Sequence, residues 1–275
     1  MTMPTKHRRR VRISAPGFLL AMALSAPAWA QDDAAPADAD ADQTVALATS
    51  SVITPEAQAV LDRMSATFDS MQRYSVSAQI TRDEVLPFGY KLQNNESARM
   101  WVEKPNKLRV ETEGDIKNRT YVYDGSTMTM FAPDLNVYSV SAAPASIREL
   151  VGGLLDAGVE MPLIDMLYQG AMGSLTDYVR VGLVVGESEV DGVPTDHLAF
   201  RQADVDWQLW VEKGKNALPR KILITTRYEV GDPQYQAILH WELSPRMAAN
   251  AFKFVPPADA AKIPSRNELA AGGEK

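Results

Sequence analysis

The residues able to do chemistry are few and scattered. Of three histidines, His7 falls in a basic N-terminal block. That leaves His197, within Asp196-His197-Leu198-Ala199-Phe200-Arg201, and His240, within Ile238-Leu239-His240-Trp241-Glu242. A zinc centre needs three or four ligands at set spacing. Two histidines in separate strand-like stretches do not supply them, so both read as structural or surface side chains and no metal is expected. Asp204 and Asp206, or Asp83 and Glu84, with Trp207 and Trp210 as flat platforms, are the parts a glycosidase uses. Such spacings arise freely among 35 acidic residues, and no catalytic residue is assigned. There is no G-x-S-x-G, P-loop or H-E-x-x-H motif. Gly152-Gly153 is too short to cradle phosphate and lies inside a helical pattern. The absence of cysteine removes thiol catalysis, zinc–cysteine sites, disulfides and a lipidated N-terminal cysteine. The chain reads as non-enzymatic, with no cofactor.

The elements around these residues carry more information. The 275 residues are 45% hydrophobic and 23% charged, an ordinary globular composition, with net charge −7. That balance argues against a nucleic-acid binder, which needs a basic surface to displace counterions. Lys6, Arg8, Arg9, Arg10 and Arg12 precede the apolar run Phe18–Leu24 and the small-x-small site Ala28-Trp29-Ala30. These are the three parts of a secretory signal peptide, cut after Ala30, and they imply a periplasmic protein. The seven-residue apolar core is far short of the roughly 20 residues a span requires, so no stable membrane anchor is expected. Loss of those five cations takes the charge from −7 to −12. Residues 31–53 are rich in Ala and Asp and read as a disordered acidic linker. The folded domain is expected over 54–257, with a flexible tail over 258–275.

Within that domain Thr54 caps a first helix, with Pro55 at its first position and Val60, Leu61, Met64, Phe68 and Met71 on one face. From Tyr74 the period becomes two. Strands are predicted near 74–85, 91–103, 106–113, 117–123, 126–131 and 135–140. After a helical interlude they resume near 179–188, 192–201, 205–213, 218–227 and 234–244, with a last short one at Phe252-Lys253-Phe254. Lys104-Pro105-Asn106, Tyr123-Asp124-Gly125-Ser126 and Asp191-Gly192 are turn signals. In the interlude Ser146 and Glu149 form a capping box, and Met161–Gln169 makes a second short helix. The fold class is therefore mainly β with helices. About 11 antiparallel strands curl into an unclosed barrel lidded by α-helices.

Strand parity gathers Met100, Val102, Leu108, Val110, Met128, Met130, Trp207, Leu209, Ile222, Ile224, Leu239 and Trp241 on one face. Methionine suits surfaces that adapt to varied apolar ligands. This face is either plain core or the wall of an apolar cavity, and parity alone leaves both open. Ile147, Leu150, Val151, Leu154 and Leu155 form the apolar stripe of the helix that would cover it.

The segments from Met100-Trp101-Val102-Glu103-Lys104-Pro105-Asn106 through Tyr123-Asp124-Gly125-Ser126 and Phe131-Ala132-Pro133-Asp134-Leu135 resemble the periplasmic lipoprotein carriers of the LolA type. So do Leu218-Pro219-Arg220-Lys221-Ile222 and Phe252-Lys253-Phe254-Val255-Pro256-Pro257. Asp196-His197, Phe200-Arg201-Gln202 and Asp206-Trp207-Gln208-Leu209-Trp210 are more similar still to an uncharacterised family of predicted periplasmic proteins sharing that fold. The resemblance implies an apolar cavity that takes acyl chains. It also makes Lys104 the counterpart of an arginine that latches the lid, a point charge in place of a planar fork. The expected function is a periplasmic carrier or chaperone for a lipid or lipoprotein. The alternative is a sensor or interaction module with an envelope protein partner, and an envelope hydrolase comes third.

Overall fold

The structure is a computed structural model that describes residues 52–157 and 178–265, with Met161, Leu163 and Thr176. The chain divides into Met1–Leu47 and Ala48–Lys275, and every described residue lies in the second unit. The expected signal peptide, most of the linker, nearly all of the helix at Met161–Gln169 and the last ten residues lie outside the described residues.

The chain opens with β1 (Val52–Ile53) and α1 (Pro55–Ser70), then six strands: β2 (Arg73–Val85), β3 (Lys91–Glu103), β4 (Lys107–Gly114), β5 (Arg119–Tyr123), β6 (Thr127–Ala132) and β7 (Val137–Ala142). After α2 (Ile147–Asp156) come β8 (Val181–Val190), β9 (Val193–Arg201), β10 (Val205–Glu212), β11 (Pro219–Thr226), β12 (Gln234–Glu242) and β13 (Ala261–Lys262). The 13 strands among the described residues form one sheet in the order β1-β8-β9-β10-β11-β12-β2-β3-β4-β5-β6-β7-β13. Its two ends are different strands, so the barrel is unclosed. The central eleven are antiparallel throughout, as the alternating pattern predicts.

The two extra strands are two-residue parallel pairings at the edges, β1 on β8 and β13 on β7. Two residues are too short for periodicity to register, and both lie in stretches read as linker and tail. Phe252-Lys253-Phe254 is a correction: it joins no strand. Its ring packing explains the apolar pattern, because Phe254 meets Phe131 at 5.5 Å and Tyr138 at 5.4 Å between ring centres.

Local chemistry follows the sequence closely at the turns. The Asp124 carboxylate accepts from the Ser126 and Thr127 backbone N–H groups at 2.9 and 2.7 Å, and from both hydroxyls at 2.9 Å. Gly125 has φ +97°, a conformation that favours glycine, and a Cβ there would also crowd the Asn106 side chain at 2.7 Å from Nδ2. Thr54 caps α1 by accepting from Ala57 N at 3.3 Å, and Ser146 caps α2 by accepting from Glu149 N at 3.2 Å.

Candidate functional site

The sheet order dictates what the connection between β7 and β8 must do. β7 is next to one end of the sheet and β8 next to the other. The chain between them therefore joins strands near opposite ends of the sheet order. α2, which follows β7, turns its apolar side to the buried face of the sheet.

The face chosen by parity is the buried one. Met100, Val102, Leu108, Val110, Met128, Trp207, Leu209, Ile222 and Leu239 are all buried in a single cluster, with Met130, Ile224 and Trp241 half-buried against it. From α2, Ile147, Leu150 and Val151 are buried in the same cluster and Leu154 packs at its border. Leu155 is a correction: it is 38% exposed, because it falls on the solvent side of the last turn. α1 contributes Ala57, Val60, Leu61, Met64 and Phe68. Phe68 meets Trp241 edge-on at 5.4 Å, and Trp241 donates from Nε1 to the Pro219 carbonyl at 2.7 Å. Tyr74 is packed beside the same indole, and burial pushes its phenol well above the usual tyrosine range.

Both helices are fastened to one turn, between β3 and β4. Lys104 Nζ donates to the Phe68 carbonyl at 2.6 Å. α1 has no basic residue in its own last turn, so Lys104 supplies the cation that its exposed C-terminal carbonyls favour. The lysine named as a lid latch thus grips α1 and not α2. Burial holds its ammonium pKa below the usual lysine value, partly offset by nearby Asp69. One residue on, the Pro105 carbonyl accepts from Ile147 N at 3.0 Å and so pins the first turn of α2. Tyr123 adds a bond from its hydroxyl to the Pro144 carbonyl at 2.6 Å.

The start of α2 is tied to the β3–β4 turn, and its later half carries a glycine. Gly153 has no atom within 4 Å of where a Cβ would sit, so packing does not demand glycine there. A mid-helix glycine costs about 1 kcal/mol relative to alanine. The helix is anchored at one end and softened towards the other.

The remaining sequence candidates are kept apart. His197 stacks on Trp210 at 4.2 Å and shares a 2.9 Å hydrogen bond with Gln208. His240 contacts Asp191 at 3.1 Å. Asp206 takes two hydrogen bonds from Arg201, at 2.8 and 2.7 Å, which hold its carboxyl below the usual range against some desolvation. Asp83 pairs with Lys91 at 3.3 Å. Trp207 faces the core, stacked on Phe200 at 3.9 Å, whereas Trp210 lies on the other side of β10 beneath Lys221. They cannot form one sugar platform. Among the described residues no three His, Asp or Glu side chains gather into a metal-binding group.

Sequence reasoning missed one depression on the outer face. It is a polar hollow of about 380 Å³ between β12, β2, β3 and β4, rimmed by Arg99, Glu111, Glu113 and His240. Ser77, Gln79 and Ser97 complete the lining on the paired strands β2 and β3, whereas Ala78 and Ala98 between them turn their methyl groups to the core.

A protein-family model, described as a predicted periplasmic protein, matches residues 57–265. No curated protein matches the sequence. Among solved structures, an uncharacterized conserved protein from Thermus thermophilus is 14% identical, covering 76% of this chain and 99% of that one, with TM-score 0.45. LprF from Mycobacterium bovis is 14% identical, covering 73% and 99%, with TM-score 0.44. The LolA superfamily protein NE2245 from Nitrosomonas europaea is 10% identical, covering 72% and 97%, with TM-score 0.31. Since the family match spans nearly all of the sheet and both helices, the chain belongs to the family of predicted periplasmic proteins called DUF2092.

Proposed function

We propose that this protein is a periplasmic, non-enzymatic carrier that takes an acyl chain of a lipid or lipoprotein between the inner face of its sheet and α2. The observation that carries this reading is the asymmetry of α2. Its first turn is tied to Pro105, while Gly153 leaves its far half weak without serving the packing. A cover of that kind swings about its fixed end at modest cost and exposes the apolar wall beneath. Met100, Met128 and Met130 give the wall side chains that re-pack around flexible chains. The basic, apolar and small-x-small order at the N-terminus and the family's description both favour a periplasmic location.

The test uses the lack of native cysteine. Asp156→Cys places a single thiol on the exposed, softened end of α2, where an environment-sensitive dye reports movement. Titration with a fatty acid or an acylated lipopeptide should give a saturable change. Leu154→Asp, which disfavours the closed position by burying a charge, should shift the midpoint. No response to either ligand, together with exclusion of apolar dyes, would mean that the face is solid core and not a binding wall.

A further inference from the structure

The hairpin of β2 and β3 is longer than its surroundings. The two strands pair without a break from Arg73 with Glu103 to Val85 with Lys91. On one side β12 stops at Tyr235 opposite Arg82, and on the other β4 stops at Gly114 opposite Glu96. The tip, Val85-Leu86-Pro87-Phe88-Gly89-Tyr90, therefore stands clear of the sheet, at the opposite end of β3 from the Lys104–Pro105 turn.

What this tip carries is unusual for an exposed turn. Phe88 is fully exposed, Tyr90 is 67% exposed and Leu92 follows on the same strand. The turn between β11 and β12 lies alongside, with Gly231 near Val85, and adds Tyr228 at 69% and Val230 at 81% exposure. Phe88 has φ +78°, a left-handed conformation that a bulky residue adopts only against a steric penalty. Glycine in its place would make the turn easily, so local folding does not select phenylalanine here.

We infer that this aromatic tip is a membrane-docking device that dips into the headgroup region of a bilayer with neutral headgroups. Three observations select a bilayer over a protein partner. The tip is convex and narrow, whereas a stable protein interface needs on the order of 800 Å² per partner. Two backbone bonds close within the tip, from Leu86 N to the Tyr90 carbonyl at 2.8 Å and from Gly89 N to the Leu86 carbonyl at 3.1 Å, which lowers the polar cost of leaving water for the headgroup region. Residues Leu86 to Tyr90 bear no charge, and Lys91, directly after Tyr90, is paired with Asp83 at 3.3 Å at the level where headgroups would meet it. Tyrosine at that depth keeps its hydroxyl wet while its ring is buried. Asp83, Glu84, Glu229 and Asp232 outnumber Arg82, Lys91 and Arg227 around the tip, in a chain of net charge −7, which argues against attraction to anionic lipid as the driving force. This inference does not depend on the carrier reading; it concerns the opposite end of the hairpin from the turn that fastens the helices.

Co-sedimentation of the protein with extruded phosphatidylcholine vesicles tests it, with Phe88→Gly as the variant. Because glycine relieves the left-handed strain, Phe88→Gly should fold at least as stably, while its partition into vesicles falls at least tenfold. Adding phosphatidylglycerol to the vesicles should not strengthen binding. A dye on Pro87→Cys, which keeps Phe88, should shift to the blue when phosphatidylcholine vesicles are added. Absence of wild-type binding, or equal binding by Phe88→Gly, would overturn the inference. So would a wild-type protein that self-associates in sedimentation velocity where Phe88→Gly is monomeric, since the tip would then be a contact between copies.

Discussion

Lys104 Nζ and the Phe68 carbonyl, 36 residues apart in the chain, meet at 2.6 Å, and this bond ties the end of α1 to the turn that also holds α2. Replacing Lys104 by methionine keeps the aliphatic stem and removes the donor. It should destabilise the protein by about 1–2 kcal/mol in urea unfolding at neutral pH, the usual range for a hydrogen bond from a charged group. The pH dependence has a definite sign. Because the folded state holds the ammonium less readily than the unfolded chain, the unfolded state binds more protons as pH rises towards the usual value of 10.5. The wild type should therefore gain stability relative to Lys104→Met over that alkaline window, and level off above it.

Asp124 makes the opposite prediction at acid pH. Desolvation pushes its carboxyl up, but the N–H groups of Thr127 and Ser126 and both hydroxyls outweigh it and bring the pKa down from 3.8 to about 2. The stabilisation is complete above 3.8 and disappears as pH falls through about 2. Asp124→Ala should lose roughly 1–2 kcal/mol at pH 7. Urea midpoints of wild type and variant should converge when the comparison is repeated near pH 2.

Gly153→Ala adds a methyl group where nothing lies within 4 Å. It should stabilise α2, raising overall stability by up to about 1 kcal/mol. If α2 is the cover, the same change should slow uptake of an acyl-chain probe in stopped-flow fluorescence. A thermal melt that rises without any change in uptake would separate the helix from ligand entry.

Gly182→Ala tests the packing beneath β1. A Cβ there would come within 2.7 Å of Phe200 Cδ1, and Phe200 is itself stacked on Trp207. Both rings are buried in the core, so the added methyl must displace packed side chains and the cost should be about 1–3 kcal/mol. Near-ultraviolet circular dichroism should change as well, since the Phe200–Trp207 stack must shift.

His197→Gln should be nearly silent in ligand binding. The imidazole lies on the outer side of β9, against Trp210 and Gln208 of the neighbouring β10 and away from the apolar face. Loss of binding by more than a few fold in an acyl-probe titration would place the ligand on the outer surface instead.

Much of this architecture was legible in the chain. A period of two by itself assigns each side chain to one face of its strand, which is why Met100, Leu108, Trp207 and Leu239 all fall on the buried side. Turn and cap chemistry is equally local: Asp124-Gly125, Asp191-Gly192, Thr54 and Ser146 act through atoms a few residues away. The tertiary structure alone decided the relations that span the chain. The pairing of β12 with β2 joins residues more than 150 apart, such as Tyr235 with Arg82, and leaves β7 and β8 near opposite ends of the sheet order. The edge strands β1 and β13, the ring packing of Phe254, the outward turn of Leu155 and the choice of Phe68 as acceptor for Lys104 depend on how the sheet curls. Local propensity contains no information about that curvature, because it is set by contacts between distant strands and helices.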